Sequence, residues 1–168
     1  MKPCSNVRLF LLIFEVQKKP NTMYEFILKA HSGWAYVVLL SLVITVINSL
    51  VGISSKEPFG PKDRRIALFA LIATHVQFLI AMILYFTSPL GFSKIGELGM
   101  GTIMKNPELR LTVIEHPFIN LIAIVLITIG WSTHKRATES PAKFKKIAIF
   151  YALGLLLILS RIPWSHWI

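Results

Sequence analysis

Polar residues along this chain gather in short stretches between long apolar runs, and inside the runs they recur at helical spacing. The first long run covers residues 30–53, and Thr22-Met-Tyr-Glu25 ahead of it reads as a capping box opening a helix. Within the run, His31, Trp34, Ser41, Thr45 and Asn48 fall on one helical face. A polar stripe on an apolar helix belongs against protein, not lipid. Residues 54–65, SSKEPFGPKDRR, are a polar turn broken by proline and glycine. They predict a second helix over 64–88, with His75 and Gln77 near its middle and Tyr85 towards its end. Residues 89–109 read as a longer loop, closed by Asn106-Pro107-Glu108 as the cap, first residue and first-turn acid of a third helix.

That third helix carries RLTVIEHPFINLIAIVLITIGW, residues 110–131, where Glu115, His116 and Pro117 stand together at the start of the apolar run. Proline there should bend the helix beside His116. A basic segment, 134–146, leads to a fourth helix over 144–162, and Pro163, Trp164, His166 and Trp167 close the chain at a membrane interface. The pattern predicts an all-α membrane protein, a four-transmembrane-helix up-down bundle over residues 22–168.

Residues 1–21 stand apart as an N-terminal extension. Their apolar run, 9–14, is broken by Glu15 and is too short to span a bilayer. A basic start and a short apolar run resemble a signal peptide, but no small-residue cleavage site follows. Met23 directly precedes the first helix, and the expectation is that translation starts there.

Composition agrees with the pattern. Of 168 residues, 54% are hydrophobic and 15% charged, too apolar for an ordinary soluble domain. The formal charge of +10 does not point to nucleic acid, because Lys and Arg sit in short loops beside apolar runs, where they meet anionic headgroups of the lipid bilayer. The single Cys4 excludes an internal disulfide and a thiolate metal cluster, and no Cys-x-x-Cys-His provides for covalent haem. No phosphate loop, nucleophile elbow or zinc-protease motif is visible. Cations concentrate in the 54–65 and 134–146 loops, which the positive-inside rule places in the cytoplasm, with both termini outside a bacterial inner membrane.

Counting about 1.5 Å of rise per residue from expected helix ends at Ile53, Arg65, Thr133 and Lys146 sorts the polar groups into two layers. His31 lies about 33 Å up, His116 about 26 Å and Arg161 about 23 Å, with Glu115 and Asn120 beside them. His75 is about 15 Å up, near Gln77, Thr45 and Asn48. Helices 1 and 3 are diagonal in an up-down bundle, about 12–14 Å apart. Two imidazoles on one metal span a similar distance. His31 and His116 are therefore candidate axial ligands of a haem b, with Arg161 as partner of a propionate. The plainer readings are an interfacial His31, an Arg161 that neutralises Glu115, and a His75 hydrogen-bonded to Thr45 or Asn48. His134 and His166 are expected at interfaces, and the four tryptophans as an aromatic belt.

Three phrases together, Ala30-His-Ser-Gly-Trp34, Ala73-Thr-His-Val-Gln-Phe78 and Glu115-His-Pro-Phe118, with Leu84-Tyr-Phe-Thr-Ser-Pro89 and Ile162-Pro-Trp164, resemble a family of small four-helix bacterial membrane proteins labelled cytochrome b-like. The resemblance covers residues 24–164. It implies a four-span bundle with His31, His75 and His116 at the family's histidine positions. The chain departs from it in Pro117, where a small polar residue is expected; a kink there would re-aim the His116 imidazole. Three functions compete: a b-type haem protein exchanging electrons with quinone or a larger respiratory complex, a cofactor-free subunit with a structural or assembly role, and a proton- or metal-handling protein built on His75 and Glu115. The third lacks a continuous polar path between the two layers.

Overall fold

The computed structural model describes residues 22–164. The expected extension over 1–21, and His166 and Trp167, lie outside the described residues. Among the described residues all regular structure is helical: α1 (Thr22–Ser55), α2 (Pro61–Thr87), α3 (Ser93–Leu98), α4 (Met100–Lys105), α5 (Pro107–His134) and α6 (Ser140–Ser160). Helices α1, α2 and α5 are each long and apolar enough to cross a membrane. Helix α6 is a fourth long helix, of 21 residues. Its first two turns hold Lys143, Lys145 and Lys146, so its uncharged stretch is shorter than theirs.

α1 packs along α2 on one side and α6 on the other; α5 packs along α6 and more lightly on α2. α1 and α5 therefore face each other diagonally. The shared core holds Val38 and Leu42 of α1, Ala67, Ala70 and Ala73 of α2, Ile127 of α5, and Ile147 and Tyr151 of α6. Without a strong hydrophobic drive between helices in lipid, close approach of small residues supplies the cohesion. Gly154 shows how close α5 and α6 come: a Cβ there would lie 2.6 Å from Ile127 Cγ1 and 3.2 Å from the Ala123 carbonyl oxygen. The outward faces are apolar, with Leu40, Leu79 and Leu156 each more than 60% exposed. A continuous surface of that kind is suited to lipid contact.

The stripe read on the first helix faces protein. Trp34 Nε1 donates to the Ala73 carbonyl at 2.9 Å, and Asn48 Nδ2 to Asp63 Oδ1 at 2.8 Å. Thr45, buried, donates to the Ser41 carbonyl at 2.7 Å, with the Ile66 carbonyl at 3.5 Å. Three elements differ from expectation. α2 starts at Pro61 rather than near Arg64, because Pro61 fits the first helical position and the Asp63 carboxylate accepts the Gly60 N–H at 2.8 Å. α6 likewise starts at Ser140, not Phe144, with Pro141 in its first turn. The 89–109 loop contains the short helices α3 and α4, separated by Gly99 at φ +74°. The start of α5 matches expectation: Asn106 Oδ1 accepts the N–H groups of Glu108 and Leu109 at 3.0 and 3.2 Å.

Where a proline bend was expected, α5 widens into a π-helical segment, Arg110–Glu115. Pro117 has no N–H for the Val113 carbonyl four residues back, and its ring crowds that carbonyl. The extra residue in the turn relieves the clash. The Tyr85 hydroxyl of α2 donates to the Val113 oxygen at 3.1 Å, replacing the missing helical donor.

Candidate functional site

The π segment delivers Glu115 and His116 to the same end of the bundle as His31 and Arg161. The His31 and His116 rings meet across the diagonal, with centroids 6.3 Å apart and planes at 76°. His116 Nδ1 donates to the backbone carbonyl of Arg161 at 2.7 Å, at the C-terminus of α6, where carbonyls lack helical partners. Asn120, one turn on, sets its amide nitrogen 3.1 Å from His116 Nε2 and 3.2 Å from Nδ1.

On the other side of the pair, Gln77 Nε2 donates to the His31 carbonyl at 2.9 Å and approaches His31 Nδ1 at 3.1 Å. The remaining amide oxygens, Gln77 Oε1 and Asn120 Oδ1, are buried without a hydrogen-bond partner. Buried acceptors of this sort are uncommon, and these two come from the amides that flank the histidines. Glu115 is held between two guanidinium groups, by Arg110 Nε at 2.8 Å and Arg161 Nε at 3.5 Å. The Arg161 side chain is thereby engaged with Glu115, and its backbone carbonyl with His116.

All five residues of the outer layer read from the sequence are brought together here: His31, Glu115, His116, Asn120 and Arg161. Gln77, assigned to the lower layer, belongs with them. His75 does not. It is exposed, with Nδ1 donating to the Leu71 carbonyl at 2.8 Å and Nε2 3.4 Å from the Thr128 hydroxyl. Its expected partners are taken, Thr45 by its own helix and Asn48 by Asp63.

The misplaced level of Gln77 has a mechanical cause. Phe59, in the connection after α1, tucks between Phe144 at 4.9 Å and His134 at 5.5 Å between ring centroids. The connection therefore climbs back beside α1, and α2 starts above α1's end. Measured upward from the Asn48–Asp63 contact, His31 is about 26 Å along α1, Gln77 about 21 Å along α2 and His75 about 18 Å. His134, expected at an interface, is buried, with Nδ1 donating to the Trp131 carbonyl. Trp131 is buried with it and carries Lys135 over its ring at 4.8 Å, so it is not part of an exposed belt.

Two imidazoles, on helices that do not pack side by side, are the histidine donors that meet at this end among the described residues. A metal about 2 Å from one nitrogen of each would hold the ring centres on the order of 6 Å apart, the separation seen. Ligation through Nε2 needs the Nδ1 proton directed at an acceptor, which the Arg161 carbonyl supplies for His116; the Asn120 amide nitrogen, 3.1 Å from that Nε2, would have to turn away. For His31 the facing atom is the Gln77 amide nitrogen; reversing that amide would offer the unpartnered Oε1 instead, at the cost of its bond to the His31 carbonyl. Compared with known protein families, with curated proteins and with solved structures, the chain matches none.

Proposed function

We propose that this is a small integral protein of the bacterial inner membrane, in which α6 makes a fourth crossing. It holds one haem b between His31 and His116 and exchanges electrons with quinone or a larger respiratory complex. The observation that carries the reading is the His31–His116 pair, at a spacing suited to one shared metal. Bound haem b would supply one-electron redox chemistry.

The chain's own residues have defined parts in this reading. Arg161 orients His116 through its backbone carbonyl, and Gln77 fixes His31 by donating its side-chain amide to the His31 carbonyl. Glu115, Arg110 and Arg161 hold the outer rim as an ion-paired lid, with Arg161 within reach of a propionate only if it leaves Glu115. Lys56, Lys62, Arg64 and Arg65 around the first connection, and Lys135, Arg136, Lys143, Lys145 and Lys146 around the second, anchor the opposite end in the cytoplasm, so both termini lie outside. The experiment is an absorption spectrum of the detergent-solubilised protein: a dithionite-reducible Soret and alpha band support the reading, and their absence from protein produced with haem supply overturns it.

A second reading is a cofactor-free membrane subunit. It is favoured by one observation, the Gln77 amide nitrogen at His31 Nδ1, which suits a neutral imidazole protonated on Nε2 and ties α1 to α2 as polar glue.

A further inference from the structure

At the opposite end of the molecule three elements converge on a cleft of about 770 Å³. The first turns of α2 contribute Arg64 and Arg65, the end of α5 His134 and Lys135, and the first turn of α6 Lys143. Among the described residues no acidic side chain lines the cleft. The nearest carboxylate on α2, Asp63, is engaged by Asn48 and the Gly60 N–H. Arg64, Arg65 and Lys143 form no ion pair among the described residues. The N-terminus of α2, a 27-residue helix, adds the positive end of its dipole at Gly60 and Pro61.

Topology alone asks only for lysine and arginine somewhere in these connections. Here cations from three separate helices surround one concavity, and like charges so gathered repel unless an anion joins them. The cleft lies at the polar end of membrane-length helices, the level of lipid phosphates. On one side Leu68 lines it, leading along α2 to the exposed Phe69 and Ile72, a path for acyl chains. A soluble phosphate would use the cations but not that apolar flank.

The geometry points to a binding site for the phosphate of an anionic phospholipid, held by Arg64, Arg65 and Lys143. Basic pockets between helices at this level suit such headgroups. The site is independent of the histidine pair. Lys145, exposed one position beyond the buried Phe144 and outside the cleft, is the internal control.

The test titrates the full chain, in neutral maltoside micelles, with phosphatidylglycerol or phosphatidylcholine, and counts bound lipid by native mass spectrometry. Phosphatidylglycerol should bind selectively, and Arg64→Gln or Lys143→Gln should each weaken it roughly fivefold, the worth of one cation at an anionic surface. Lys145→Gln should change it by less than about twofold. Circular dichroism checks that each variant keeps its helices, and Lys143→Gln alone suffices should Arg64→Gln not fold. Equal binding of the two lipids, or an equal loss with Lys145→Gln, would overturn the site. Competition by inorganic phosphate at the same phosphate concentration would overturn its assignment to lipid.

Discussion

The Tyr85 hydroxyl donates to the Val113 carbonyl at 3.1 Å, the carbonyl that Pro117 leaves without a helical partner. Tyr85→Phe removes the donor and leaves a half-buried acceptor in an apolar setting. It should lower stability by about 1–2 kcal/mol, measured by reversible unfolding in mixed micelles. In a Pro117→Ala background residue 117 regains an N–H, the π turn can close, and the tyrosine matters less. The cycle should therefore show coupling of about 1 kcal/mol. Additive losses would show that Tyr85 does not compensate for the proline.

Glycine at 154 is required by space. Gly154→Val would put new carbon 2.6 Å from Ile127 Cγ1, with the Ala123 backbone behind it. Overpacking of this kind costs about 1–3 kcal/mol. Gly33→Val is the comparison, since a Cβ at Gly33 meets nothing within 4 Å. Melting of the two variants should separate clearly, with Gly33→Val near the parent.

Much of this arrangement is legible in the sequence because apolar length and helical spacing are local properties. The stripe from His31 to Asn48 announces which face of α1 meets protein, and Asn106-Pro107 announces where α5 starts. What is not legible depends on how separate helices slide past one another. Gln77 belongs beside His31 only because Phe59 folds back between Phe144 and His134 and raises α2 relative to α1. His134 is buried for the same reason, although its neighbours in the chain are polar. Pro117 signals a disturbed helix, but whether it kinks or widens depends on a donor 32 positions earlier, Tyr85.

The orientation proposed for the chain can be checked by reporter fusions. The connection between α1 and α2 and that between α5 and α6 lie at the same end, and with the first turns of α2 and α6 they carry Lys56, Lys62, Arg64 and Arg65, and Lys135, Arg136, Lys143, Lys145 and Lys146. Alkaline phosphatase fused after Glu57 or Thr138 should be inactive, and green fluorescent protein fused there should fluoresce. Active phosphatase at both positions would reverse the topology. A split result would mean that either α2 or α5 does not cross, because those two helices separate the fusion sites.

The histidines separate the two proposed functions. If haem is bound, His31→Ala and His116→Ala should each abolish the alpha band, because these two imidazoles meet across the α1–α5 diagonal. His75→Ala should keep the band. Its ring is exposed on the α2 side, about 8 Å below His31 on the corrected scale. The exchange should also cost little stability, less than about 1 kcal/mol. The Leu71 carbonyl lies within the helix ladder, and the Thr128 hydroxyl already donates to Ile124 at 2.8 Å. Gln77→Leu adds the discriminating case. With haem bound, the band should persist, because the histidines remain, but its position should shift as His31 loses its neighbour. In a cofactor-free protein the same exchange should cost about 1–2 kcal/mol, from an unsatisfied His31, with no spectrum to follow. Retention of the band in His31→Ala with its loss in His75→Ala would transfer the axial pair to His75 and His116, and would require α2 to rotate so that His75 turns inward.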